Sequence, residues 1–220
     1  ITNKIVASLA GYSGYIHFRK FADKGHTHVM SKKVAMAVLW FYRYQAHHSE
    51  SVFYDAVRNL ESAVLEDANC ALCWAVLAHL YADSIIYNYA TIADPMQRAQ
   101  DCLSKSLALN PDGQHASLVQ GWLHILLQNK PGVIESIAKT VSLNPNSSFF
   151  LATCSLGMSL VGEYEKSLQL WEKAIKLNPL PYWWLNLPKI FVALQKHNYS
   201  QALFYARKTG TPKVIYEHVF

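Results

Sequence analysis

Charge is scarce in this sequence, cysteine is scarcer, and long apolar runs are missing. Asp, Glu, Lys and Arg make up 16% of the 220 residues. The Lys and Arg residues are scattered, so the formal charge of +5 forms no basic arm for nucleic acid and reads as a solvated surface. The longest apolar stretches, residues 34–42 and 149–162, fall short of the ~18 residues a membrane span needs, so no membrane partner is expected. Lys32 and Lys33 ahead of an apolar run imitate a signal peptide, but they lie deep in the chain and no small-residue cleavage site follows. Four cysteines, Cys70, Cys73, Cys102 and Cys154, are too few and too irregular for a secreted disulfide framework, which points to a reducing, cytoplasmic setting.

Sequence signatures of catalysis are absent too. There is no H-E-x-x-H, Walker A, G-x-S-x-G or G-x-G-x-x-G. Cys70-Ala-Leu-Cys73 lacks the second pair or the histidines that a structural zinc site requires. It also lacks the strand–helix context of a thioredoxin-like centre, so packing is the favoured reading. His26-x-His28 and His47-His48 have no carboxylate pattern to complete a site, and Glu163 and Glu165 belong to a surface turn. The chain is read as a non-enzyme with no cofactor and no metal.

What the sequence does contain is a period. Leu-Asn-Pro occurs at Leu109-Asn110-Pro111, Leu143-Asn144-Pro145 and Leu177-Asn178-Pro179, with successive prolines 34 positions apart. That is the interval of a tetratricopeptide (TPR) repeat, one helix–turn–helix per unit. Each proline follows the second helix of a unit, where it cannot extend the ladder and so fixes the turn. Counting back from Pro179 predicts a close helix crossing at Ala174, a core wedge at Trp171, and a turn at Gly162-Glu163-Tyr164. An earlier unit has Ala68 where the proline would stand, followed by Trp74-x2-Leu77-Ala78-x2-Tyr81, close to the repeat consensus, with Trp40 one unit before.

The predicted units are 34–68, 69–111, 112–145, 146–179 and 180–212. The second carries about nine surplus residues around 84–95, against the usual 34-residue repeat. A loop is expected over 88–94, with Pro95 in the first turn of the next helix. The fold expected is therefore all-α: a right-handed TPR helical solenoid of about five helix pairs, preceded by a short N-terminal non-repeat segment. Residues 1–33 form that leader, with a helix at 3–9, a turn at 11–14 and a strand at 15–21, and read as the remnant of a preceding domain. The solenoid occupies 34–220, with 213–220 starting a further helix or a cap. The first residue, Ile1, is not methionine, which suggests a chain cut from something longer.

The long second unit with Asn88-Tyr89 before Ala93-Asp94-Pro95, and Asn178-Pro179-Leu180-Pro181-Tyr182-Trp183-Trp184 before the last pair, resembles a particular bacterial group. The match is to the C-terminal halves of regulators that carry an N-terminal winged-helix DNA-binding domain of the OmpR/ToxR type, among them HilA-like activators of invasion and type III secretion genes. It covers residues 34–212, and residues 1–24 resemble the segment placed before the repeats in such proteins. Similar arrays follow the catalytic domains of some adenylate cyclases. The resemblance implies a regulatory role in which DNA is reached only through a missing N-terminal domain.

In superhelices of this kind the first helix of each pair lines the concave face. Projection of its positions 2, 5 and 9 gives an aromatic, apolar groove. Its partner-binding candidates are His79, His115, Leu118, Trp122, Phe149, Trp183 and Asn186. The expected occupant is a protein or peptide, or a second copy of the chain. The expected function is a protein-interaction module that tunes an attached DNA-binding domain. The alternatives are an effector region of a signalling enzyme such as an adenylate cyclase, or a small-molecule sensor.

Overall fold

Helix signals in the sequence become helices at the places the 34-residue period marks. In the computed structural model, residues 31–89, 91–178 and 183–209 are described, apart from the side chains of His47 and Trp183. The expectations for residues 1–30 and 210–220 lie outside the described residues. Among the described residues there are ten α-helices: α1 (Lys32–His47), α2 (Glu50–Glu66), α3 (Ala71–Ile86), α4 (Pro95–Leu109), α5 (Gln114–Leu126), α6 (Lys130–Leu143), α7 (Ser148–Leu160), α8 (Tyr164–Leu177), α9 (Leu187–Gln195) and α10 (Tyr199–Lys208). A short 3₁₀ turn, Trp183–Asn186, precedes α9. There is no strand among the described residues, and the fold is all-α.

The described chain divides into two compact units, one holding residues 31–123 and the other 124–209. In the first, α1 packs against α2 and reaches past it to α3, while α3 packs against α4. In the second, α7 packs against α8 and reaches past it to α9, which pairs with α10. Within each unit the helices of these pairs form hairpins, and the first helices of neighbouring hairpins touch, α1 with α3 and α7 with α9. That is how amphipathic pairs too short to bury their own apolar faces become stable.

The turns inside the pairs share one chemistry. After α3, α5, α7 and α9 a residue enters the left-handed region: Asn88 (φ 54°), Gln128 (55°), Gly162 (81°) and His197 (53°). The next amide then bonds back five residues, Tyr89 to Ser84, Asn129 to His124, Glu163 to Met158 and Asn198 to Ala193, at 2.8–2.9 Å. This is the Schellman closure, which satisfies carbonyls left over at a helix end. Only one of the four positions holds glycine, the residue free of the steric cost of this conformation. Gln128→Gly is therefore expected to raise stability, and Gly162→Ala to lower it, by about 1 kcal/mol each. Urea titrations of the two variants check the signs, and a gain from Gly162→Ala would refute the account.

Side chains anchor the pairs. Ser31 caps α1 by accepting from the Val34 amide at 3.2 Å and donates to Glu66 at the far end of α2. Ser106 on α4 donates to the Ala71 carbonyl at the head of α3 at 2.8 Å. Ser155 on α7 and Ser167 on α8, both fully buried, each donate to the other's carbonyl at 2.8 Å. Ala174 is buried, as its place at a helix crossing requires. Pro95 stands in the first turn of α4, and the enlarged connection runs from the end of α3 to Asp94.

Two expectations need correction. Trp171 is not a core wedge but a half-buried ring. Its indole N–H donates to the Leu185 carbonyl at 2.8 Å, and the Lys189 ammonium sits 4.2 Å from its centroid, a cation–π contact of the kind found at helix surfaces. Trp183 and Asn186 are not on the first helix of the last pair. Pro188 lacks an amide hydrogen and is tolerated only in a first turn, so α9 starts at Leu187 and the residues before it tighten into the 3₁₀ turn.

Candidate functional site

In the unit of residues 31–123, polar side chains from three helices meet in the interior. His79 and Asp83 lie one turn apart on α3, and Gln45 and Tyr44 come from α1. His115 stands in the first turn of α5. The His79 Nδ1 and His115 Nε2 atoms are 3.0 Å apart. Such a contact requires one ring to accept, so at least one imidazole is neutral. His79 Nε2 lies 3.7 Å from Asp83 Oδ1, and Gln45 Nε2 donates to Asp83 Oδ2 at 3.3 Å. The Tyr44 hydroxyl lies near Asp83 and Tyr89 but has no partner in hydrogen-bond geometry among the described residues. Phe41 closes the cluster, its ring 5.1 Å from that of His79 and 5.4 Å from that of His115.

Burial governs the charge of these groups. It pushes the Asp83 carboxyl up to about 8 and the His79 imidazole down to about 3. His115 is driven well below its ordinary value by burial and then by the neighbouring His79. His48, at the left-handed end of α1, is lowered to about 4 by burial. At neutral pH the cluster is a chain of uncharged donors and acceptors: desolvation of an isolated charge here outweighs the gain from a 3.7 Å pair.

The enlarged connection completes it. Tyr87 lays its ring 4.6 Å from His48, and Tyr89 lays its own 4.4 Å from Phe53. The surplus residues of the second unit thus bring two aromatic rings onto the first helix pair. Sequence reasoning named His79 and His115 but missed Asp83, Gln45, Tyr44 and Tyr89. The readable signal was His79 and Asp83 at i, i+4 on a helix otherwise apolar all round.

The seven groove candidates fall in both units. His79, His115, Leu118 and Trp122 belong to the first unit, all buried. The two histidines face each other. Trp122 is 8% exposed, and its indole N–H has no hydrogen-bond partner among the described residues. Nor does the hydroxyl of Ser117, which is fully buried on the same helix. In the second unit Phe149 is buried, its ring 5.5 Å from Phe150 and 6.2 Å from Trp184. Asn186 is half-buried, and the Trp183 side chain lies outside the described residues. Among the described residues no three His, Cys, Asp or Glu side chains converge to hold a metal ion, and no helix is long and apolar enough to cross a membrane.

Period, hairpins and Schellman turns together define an all-α repeat protein of the TPR class. No family model matches the sequence, and no relative is found among the curated proteins. Solved structures similar to this chain include MamA from Desulfovibrio magneticus RS-1, at 18% identity over 82% of this chain and 94% of that one with a TM-score of 0.48. Another is YrrB, described as a TPR protein with an unusual peptide-binding site, at 14% identity over 91% of each chain with a TM-score of 0.45.

Proposed function

We propose that this chain is the protein-interaction and regulatory region of a bacterial transcriptional activator, acting in the cytoplasm. It recognises a protein partner, or a second copy of itself, and so tunes an attached winged-helix DNA-binding domain. The 34-residue array and the resemblance carried by the long second unit support the regulatory context. The observation that carries the binding role is Trp122. A buried indole N–H normally finds an acceptor, and tryptophan concentrates binding energy at interfaces. Both this donor and the Ser117 hydroxyl on the same helix are shut off from solvent, so an incoming backbone carbonyl would pair with the indole only by displacing what covers it.

The test compares wild type and Trp122→Phe as immobilised baits, together with light scattering of both. Phenylalanine keeps most of the ring volume and removes the donor. Partner capture, or dimerisation in scattering, is expected to fall roughly tenfold, the effect of one lost buried hydrogen bond at a binding hot spot. A variant that captures and associates like wild type would sink the binding role of Trp122.

A further inference from the structure

The Cys70-Ala-Leu-Cys73 pair has a geometry that packing alone does not require. Cys70 is the N-cap of α3 and its sulfur accepts from the Cys73 amide at 3.3 Å. The two Sγ atoms are 2.7 Å apart, well inside ordinary sulfur–sulfur contact and short only of a bond of about 2.05 Å. The surrounding turn is held from outside the pair. The Trp74 indole donates to the Ala68 carbonyl at 2.8 Å, Ser106 donates to the Ala71 carbonyl, and the Cys70 amide donates to the Asp67 carbonyl at 3.2 Å. Cys70 follows the exposed Ala68 and Asn69 and keeps 8% exposure, whereas Cys73 has none.

We propose that Cys70 and Cys73 form a reversible dithiol–disulfide site at the head of α3, oxidised by exchange with a small-molecule disulfide, with Cys70 as the attacking sulfur. The absence of a strand before the helix, which argues against such a role on sequence grounds, is not decisive. The chemistry needs a helix N-terminus and two sulfurs within reach, and both are present. The side-chain contact with Cys73, and the backbone amides at the helix start, hold the Cys70 thiol below its ordinary value. The Cys73 thiol is pushed up by the same contact and by burial. That division suits one entering and one resolving thiol.

The exchange runs in two steps. Cys70 loses its proton and its thiolate attacks one sulfur of the small disulfide. The S–S bond breaks and one thiolate leaves, taking up a proton. Cys73 then loses its proton and attacks Cys70 Sγ, expelling the second small thiolate, which is protonated in turn. The two cysteines have lost two electrons and two protons, and the small disulfide has become two thiols.

The full chain incubated with oxidised glutathione, then alkylated and peptide-mapped by mass spectrometry, tests this. Two of the four thiols are expected to be lost to alkylation. Cys70 and Cys73 should be linked, their peptide lighter by two hydrogens, and both should return on reduction with dithiothreitol. Cys73→Ser should stop at a glutathione adduct on Cys70, and Cys70→Ser should give neither link nor adduct. Serine is itself a favoured N-cap, so Cys70→Ser is expected to keep the helix, which circular dichroism verifies. Where a variant loses helicity, the wild-type map decides alone. Four alkylatable thiols in oxidant that oxidises a control dithiol, a link through Cys102 or Cys154, or an adduct on Cys73 of Cys70→Ser would each overturn the proposal.

Discussion

Lowering the pH from 7 towards 4 is expected to strip several kcal/mol of stability from the unit of residues 31–123. His48, His79 and His115 are all held below the ordinary histidine value, at about 4, about 3 and well below 6.5. In the unfolded chain they protonate near 6.5. Below that pH the unfolded state binds more protons than the folded one, so stability falls with falling pH, by ~1.4 kcal/mol per pH unit for each fully differing group. Asp83 acts in the opposite sense. Its folded value, raised to about 8 from 3.8, means the folded state keeps a proton that the unfolded state releases, so its contribution declines as pH rises between those values. Three groups against one leave a net loss of roughly 3 kcal/mol per pH unit at the steepest point.

Urea unfolding at pH 7.5, 6 and 5 should show the midpoint falling with acidity. A flat profile would mean that the histidines are not buried neutral. Asp83→Asn separates the two senses, because asparagine supplies a neutral side chain with no proton to retain. It should raise stability at pH 7 by up to ~4 kcal/mol, less the hydrogen bonding that the amide cannot reproduce. If Asp83 were instead ionised and paired with a charged His79, the same substitution would cost several kcal/mol by stranding that charge.

The second large effect is Phe53→Ala. Phe53 is fully buried on α2, its ring 5.4 Å from Tyr44 and 4.4 Å from Tyr89. Removal of a buried phenylalanine costs about 3–5 kcal/mol through lost transfer energy and the cavity left behind. Here the cavity opens against the rings of Tyr89 and Tyr44, both of which lean on Phe53. Phe53→Leu should cost under about 1.5 kcal/mol. The measurement is again the urea midpoint, with near-UV circular dichroism following the tyrosines. A loss below about 1 kcal/mol for Phe53→Ala would show that the site collapses without consequence and that Tyr89 does not depend on it.

Helix positions were legible in the sequence because proline, glycine and period act locally. Pro111 and Pro145 stand just past the ends of α4 and α6, and Pro95 starts α4. The left-handed turns at Gln128 and His197 were not legible. Gly162 and, more weakly, Asn88 are residue types that favour the conformation, and elsewhere the packed hairpin imposes it. Pro188 was visible, but its effect on Trp183 and Asn186 depends on where the helix before it would have begun. The interior site was half legible. The 3.6-residue period placed His79 and His115 on one face, yet it could not separate a groove from a core. That depends on what α1 and the 87–89 connection lay against the face, and Tyr44 and Gln45 belong to a helix identified mainly by its apolar residues.

The ties that hold the helix pairs are all short in sequence. Ser31 to Glu66, Ala71 to Ser106, His79 to His115 and Gln45 to Asp83 span 35 to 38 residues, and Ser155 to Ser167 spans 12. Contacts of such short sequence separation close small loops, which favours rapid formation. A chain synthesised from its N-terminus would therefore have the partners for its first helix pairs within reach long before its last pair exists. Assembly can proceed hairpin by hairpin as translation advances, leaving little apolar surface waiting for a distant segment.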